Sequence, residues 1–554
     1  MPRAVTTETV KAFRAMFSDS ALFERALRQE PPLPSPPGYV CGITVPHHLL
    51  AVDLIARAFR FTVGGNYKRV IVLFPDHFRQ TRRPFATTAR SFQTAYGLVS
   101  TDTAAVANLV STNPLIEVSE LFKLDHGIHA VLPFVARFFP TTKLIPIAVA
   151  VTSQNEDWDA CVQSLAPLVT TRTLIVQSTD FSHYLIRREA REHDQETLNA
   201  ITAQKPEAIL LLRQPGHLDS KGAQYIHLQL QRQVNRSVPE VIENKNSFDY
   251  LPWHGRRTTS YIVQIYRKAQ PAASRLPVYP GQQLWFFAGD TSFGRYMSRP
   301  LHNKVIAARL QKHILGITGG APLVVNLEGV AMERPVPKSL PALRIAMEVD
   351  RTTSWLRALN VRAVVLANNH TLDFGVVRRA RMQQLLQQAG FEVLLHGESC
   401  DLNAFRLVAL SDLANDGEQR THLISEPDLE DLQKRRLAQP ILTFIHWGAE
   451  YSAQPRSREL NLLTELRRYG LPLVIGAHPH VGSTDVMQLG GGSGACVYSM
   501  GNFIFDQLDP RVSGTLVEVR FFSQGTYALR LHPLGNLYHD VVNPYRTSSN
   551  AINS

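Results

Sequence analysis

A chain of 554 residues is too long for one hydrophobic core; at roughly 150 residues per domain, stretched for large α/β units, it predicts two large domains. With 44% hydrophobic and 19% charged residues it excludes disordered and fibrous classes. The net charge of +11 comes from scattered arginines, not from a basic run interleaved with aromatics, which suits an anionic polymer or phosphorylated substrate and gives no nucleic-acid signature.

Four dispersed cysteines, Cys41, Cys161, Cys400 and Cys496, form no CxxC pair, so neither a disulfide framework nor a cysteine zinc site is signalled. No stretch approaches ~20 consecutive apolar residues, and MPRAVTTETVKAFRAMFSDS has no hydrophobic signal core, so the expectation is a cytoplasmic protein without a transmembrane segment. Nothing in the sequence sets the oligomeric state.

Residues 1–30 read as one or two amphipathic helices and PPLPSPPG at 31–38 as a stiff spacer, giving a helical extension over 1–37. From Val40 on, strand-like runs end in polar residues. VCGITV leads to His47 and His48, RVIVLF to Asp76 and His77, and TLIVQS to Asp180, Phe181, Ser182 and His183. Asp125, His126 and His129 open a helix between them. Strands alternating with helices predict a mainly parallel sheet with its polar residues at one rim.

RKAQPAASRLPVYPGQQ separates this region from a second one, with the linker placed at 269–281. LWFFAGD then ends in Asp290, followed at short range by Arg295. PLVVNLEG carries Asn326 and Glu328, AVVLANNHTLDFG carries Asn368, Asn369, His370 and Asp373, ILTFIHWGAEY carries His446, and LPLVIGAHPHVG carries His478 and His480. Five strand ends thus carry candidate ligands. In an open α/β sheet such ends line the ligand crevice, and imidazole with carboxylate and amide oxygen suits divalent Mn, Fe or Zn. Two such ions about 4 Å apart can clamp the attacking and departing oxygens of a hydrolytic reaction. Trp447, Tyr451 and Tyr498 are candidates for a substrate groove or for packing, and residues 541–554 read as a loose tail.

VPHH, FPDHF, DHGIHAVLPF and STDFSHY, in this order, resemble the Memo-like family, also called AmmeMemoRadiSam system protein B, over residues 38–268. The resemblance implies an α/β fold similar to ring-opening non-haem iron dioxygenases, with a metal-holding crevice that includes His47, His77, Asp180 and His183, and with Asp125 and His126 beside it. Where that family usually carries a cysteine, HLDSKGAQ puts Asp219 or Ser220, which favours a harder metal. GD, NLE, NNH, HWG and HPH, with YSMGNFIFDQ, resemble the CapA family of poly-γ-glutamate and capsule biosynthesis proteins, related to calcineurin-like metallophosphoesterases, over about 282–510, within a domain expected over 282–540. That resemblance implies Asp290, Glu328, Asn369, His446, His478 and His480 as ligands of two divalent metals, His370, Asp373 and Glu328 in catalysis, and Arg295 and Asn326 toward substrate.

The expected protein is therefore a two-domain α/β chain, a Memo-like domain followed by a metallophosphoesterase-like one. Its expected activity is that of a metal-dependent hydrolase tied to poly-γ-glutamate or capsular polymer. The alternatives are a non-catalytic polymer-binding or assembly factor, and redox or ring-cleaving chemistry in the Memo-like half.

Overall fold

The computed structural model describes residues 11–31, 33, 39–252, 257–268, 276–333, 344–413, 424, 429–430, 440–492 and 494–542. Most of the proline-rich spacer, residues 1–10 of the expected helical extension, linker residues 269–275 and tail residues 543–554 lie outside them. The chain divides into two compact units, Met1–Pro277 with Phe522–Gln524, and Val278–Phe521 with Gly525–Ser554.

The N-terminal unit is built on an 11-stranded mixed sheet. Across its centre run Ser237–Asn246, Thr258–Lys268, Val40–Val45, Thr173–Ser178, Arg69–Pro75 and Lys143–Val149. The last four pair in parallel, and Thr258–Lys268 closes on Val40–Val45 antiparallel. Every residue of Val40–Val45 and Thr173–Ser178 is buried, which explains why these strands read as unbroken apolar runs and not as alternating ones. Parallel pairing brings the ends of three strands, before His47, His77 and Asp180, to one edge.

The amphipathic reading of residues 1–30 holds for one helix, Ser20–Gln29, capped by the Asp19 side chain. Residues 11–19 are extended instead: Phe13 bridges to Phe92 and packs its ring on that residue at 5.1 Å and on Phe122 at 6.5 Å. At the far end of the helix Glu30 receives two hydrogen bonds of 2.9 Å from the buried Arg57, which also donates to Glu243 at 2.6 Å.

The C-terminal unit has two six-stranded sheets. In one, Gln283–Thr291, Leu323–Leu327, Val361–Val365 and Glu392–Leu394 pair in parallel, with Gly514–Phe521 and Tyr527–Gly535 added antiparallel. In the other, Arg406–Ser411, Ile441–His446, Leu473–Ala477 and Gly494–Val497 are parallel. Strand alternation sorts the core into three layers. Trp285, Phe287 and Val324 join Leu407, Phe444 and Ile475 between the sheets. Phe286, Ala288 and Val325 face the helices on one side, and Val408, Leu410 and Val474 those on the other. Both sheets are buried on both faces. The strand Arg406–Ser411 falls outside the predicted elements.

Candidate metal centres

In the C-terminal unit the Asp290–Asn326 register sets the two leading strand ends side by side. Asp290 can reach this position because the residue before it is glycine: a Cβ on Gly289 would stand 2.0 Å from the Gly501 carbonyl oxygen. Asp290 Oδ2 lies 3.0 Å from Nδ1 of His480, and its Oδ1 accepts a 2.8 Å bond from Asn326 Nδ2. The carboxylates of Asp290 and Glu328 and an imidazole nitrogen of His480 all fall within 4.8 Å of one another, and all three residues are buried. His446 Nε2 faces Asn369 Oδ1 at 2.9 Å, and its ring centroid is 4.8 Å from that of His478. Two donors on one metal at about 2.1 Å stand about 3.0–3.4 Å apart for 90–109° angles, and the His446–Asn369 separation of 2.9 Å lies at the lower edge of that range.

Two buried atoms in this cluster, Glu328 Oε2 and His478 Nδ1, have no hydrogen-bond partner. Burial and the adjacent Asp290 carboxylate push Glu328 up to about 8. Burial disfavours charge on Asp290 as well, but the His480 hydrogen bond and the neighbouring imidazoles hold it below the usual carboxylate range. Burial and the His480 charge push His478 down to about 4, while His480 is raised to about 9 because Asp290 overrides its desolvation. A metal bound here would displace the protons these groups hold, since ligands shed protons on binding. The residues present fit a divalent ion.

His370 stands beside this cluster. Its Nδ1 is 3.0 Å from Asp373 Oδ2 and its Nε2 3.6 Å from Glu328 Oε1. Backbone strain gathers here too: Arg295, Tyr451, His478 and His480 have φ of 43°, 62°, 97° and 58°, a region that side-chain-bearing residues visit rarely.

The two expected substrate contacts are engaged internally. Asn326 is buried, with its amide nitrogen on Asp290 and 3.2 Å from His446 Nδ1, and its oxygen accepting from Asn368. Arg295 pairs with Asp506 and lies 5.1 Å from the centroid of Phe505, whose ring stacks on His480. Trp447 and Tyr498 are core residues, the indole donating to the Tyr498 carbonyl at 2.9 Å. Tyr451 alone of the three aromatics reaches the site, 6.2 Å from His480. Two residues given no role from sequence also matter, Asn502, which accepts from His480 Nδ1 at 2.7 Å, and Asp506, which holds Arg295, while Asn368, a candidate ligand by its strand end, instead holds Asn326.

In the N-terminal unit Asp219 Oδ2 is 3.1 Å from His47 Nε2, 3.8 Å from His77 Nε2 and 3.9 Å from His183 Nε2. His47 Nε2 and His77 Nε2 stand 3.1 Å apart. Of the two candidates for this position it is Asp219 that points inward; Ser220 caps the helix Lys221–Leu230. Asp125 receives both the backbone N–H and Nδ1 of His77 while capping His126–His129, so one carboxylate orients the imidazole and starts the helix. Asp180 accepts the His47 backbone N–H at 3.1 Å, and the His126 ring lies 4.2 Å from that of His77. Burial opposes charge on Asp219, yet the His47 charge and the facing His183 and His77 imidazoles hold it well below the carboxylate range. His183 Nε2 and Asp219 Oδ1 are buried without partners, so this set also fits a divalent ion. His193 and His217 stack at 4.2 Å, and His217 bonds Glu196.

Fold and sites together define a two-domain α/β protein with an imidazole–carboxylate crevice in each unit. Residues 37–250 match the family described as Memo-like protein, and residues 285–507 match that described as bacterial capsule synthesis protein PGA_cap. The chain is 27% identical over 210 residues to the capsule biosynthesis protein CapA of Bacillus anthracis, an alignment covering 33% of this chain and 50% of that protein. It is 23% identical over 274 residues to the PGA biosynthesis protein CapA of Bacillus subtilis, covering 45% and 70%. A MEMO1 family protein of Nitrosopumilus maritimus is 25% identical over 167 residues, covering 29% and 60%. The chain thus spans half the length of the first of these relatives. A CapA-type domain and a Memo-like domain are present in one chain. No helix among the described residues is long and apolar enough to cross a membrane.

Proposed function

We propose that the C-terminal unit is a metal-dependent hydrolase acting on phosphoester or peptide-like bonds, with poly-γ-glutamate or a capsular polymer as the substrate suggested by its CapA relatives. The observation that carries this reading is the buried pair Asp290 and Glu328 facing His480, with Glu328 Oε2 left without a partner. Asp290, Glu328, Asn369, His446, His478 and His480 would hold one or two divalent ions, which supply Lewis acidity and a hydroxide near neutral pH when bound. Asp373 fixes the Nδ1 side of His370, leaving Nε2 to hold a proton at the crevice for the leaving group. Asn326, Asn368 and Asn502 orient the ligand residues from behind. Arg295, neutralised by Asp506, presents its remaining edge toward an anionic group.

The N-terminal unit, on this reading, holds a separate divalent ion on His47, His77, His183 and Asp219, with Asp180 supporting His47. Elemental analysis of the full chain, combined with phosphoester and peptide screens, tests the proposal. About two equivalents of Mn, Fe or Zn lost on His478→Ala, and turnover lost on His370→Ala with metal retained, are expected. Full turnover by His370→Ala overturns the hydrolase reading, and polymer binding that survives His478→Ala without any turnover favours an assembly factor.

A further inference from the structure

The turn that follows the strand Ile441–His446 runs alongside the segment that carries His478 and His480. Trp447 donates its backbone N–H to the Ala477 carbonyl at 3.2 Å, and Tyr451 donates its own to the Pro479 carbonyl at 2.8 Å. Between these two bonds a Cβ on Gly448, whose φ is 83°, would stand 2.4 Å from Tyr498 Oη and 3.5 Å from Pro479 Cγ, so the turn is drawn tight against the histidine segment. Tyr451 is thereby tied to the residue between two expected metal ligands. Its φ of 62° lies in the left-handed region that residues with a Cβ rarely adopt, and the bond to Pro479 holds it there.

The side chain is fixed as firmly. Its ring lies 6.2 Å from that of His480, and the Arg511 guanidinium stands 4.4 Å from its centroid. Asp509 accepts from Arg511 Nε at 2.9 Å and from Nη2 at 2.7 Å, so the guanidinium is both neutralised and set in one plane. Arg511 therefore gives the crevice a seat for the phenol ring more than a net charge. The Tyr451 hydroxyl has no hydrogen-bond partner among the described residues. The Arg295 charge acts on both that hydroxyl and the His370 imidazole, so the three groups share one crevice. A half-exposed phenol keeps its proton at neutral pH and, with no acceptor in the protein, offers it to whatever enters.

Hydrolysis of a phosphoester or of a peptide-like bond builds negative charge on oxygens at the reacting centre, and preplaced donors aimed at that charge accelerate it. We propose that Tyr451 is a catalytic residue of the C-terminal unit, its hydroxyl donating to an oxygen of the oxyanion formed beside His480, and that Arg511 is the positioning residue that seats its ring. This rests on the hydrolase reading given above. The test uses the full chain carrying His47→Ala, loaded with Co2+, whose visible absorption then reports on the C-terminal centre. The probes are inorganic phosphate, which keeps oxygens free to meet the hydroxyl when one of them binds the ion, and chloride, a monatomic ligand without them. Tyr451→Phe is expected to weaken phosphate about tenfold, the loss of one charge-assisted hydrogen bond, with chloride and Co2+ affinities unchanged. Arg511→Gln should weaken phosphate alone and have no further effect in the Tyr451→Phe background, since it acts through the ring. Where the screens find turnover, Tyr451→Phe should lower kcat about tenfold with KM within about twofold, and the bond cleaved, phosphoester or peptide-like, identifies the source of the oxyanion. Absence of Co2+ uptake, or uptake that survives His478→Ala, defeats the hydrolase reading itself. Uptake with no phosphate response, or with one unchanged by Tyr451→Phe, overturns the Tyr451 assignment alone, and additive losses from the two substitutions overturn the role given to Arg511.

Discussion

The Oδ2 atom of Asp373 lies 3.0 Å from Nδ1 of His370 and also accepts the backbone N–H of Ile345 at 2.7 Å. The second bond pins the carboxylate, so it cannot follow the imidazole, and the imidazole is held at one angle facing Glu328. Asp373→Asn keeps the shape and loses the charge. Turnover should fall by about 10- to 100-fold, in line with other carboxylates that orient a histidine, with bound metal unchanged by elemental analysis.

Removing metal should expose the conflict between Asp290 and Glu328. In the metal-free protein two buried carboxylates adjoin and Glu328 Oε2 lacks a partner. Glu328→Gln should raise the stability of the chelator-treated protein by about 1–3 kcal/mol while abolishing the stabilisation that added Mn or Zn gives the native chain. Thermal scans with and without chelator read both effects.

Gly289→Ala should be severe although the change is one methyl. The new carbon would meet backbone, the Gly501 carbonyl oxygen at 2.0 Å, and neither strand end can yield without moving Asp290. A loss of about 3 kcal/mol, seen as a fall of about 6–12 °C in the melting temperature of the C-terminal unit, should accompany loss of bound metal.

Asp194 gives the N-terminal unit a pH dependence of known sign. Burial pushes it up to about 6, against hydrogen bonds from Ser182, Ser260 and Asn244. A carboxyl raised in the folded state binds its proton more tightly there than when unfolded. Its contribution is therefore favourable at low pH and is lost as pH rises from the ordinary 3.8 to about 6, by about 3 kcal/mol, with no further change above that. Asp194→Asn should flatten this window in urea titrations followed across pH 4–6.

Much of this was legible in the sequence because parallel strands buried on both faces read as continuous apolar runs, and the first polar residue after each run is the one at the crevice. Asp290, His446 and His47 are all found by that rule. Arg406–Ser411 escaped it: the strand is as apolar as its neighbours but ends without a histidine. Asn502 escaped for another reason. It serves His480 across 22 positions of chain, and an amide following a strand-like stretch is indistinguishable from a turn residue until the pairing is known. The fate of Trp447 and Tyr498 was equally closed to inspection, because an aromatic just past a strand can turn to the core or to the crevice. Asp219 and Ser220 are adjacent, and only the start of the helix at Lys221 decides which of them faces the histidines.

The way residues 11–30 are fastened bears on how this protein can be cut for study. A fragment begun at residue 37, where the family match starts, would uncover Phe92 and Phe122 and deprive the buried Arg57 of its ion pair with Glu30. Such a fragment would look like an isolated domain by homology and behave as a damaged one, prone to self-association through the bared aromatic surface.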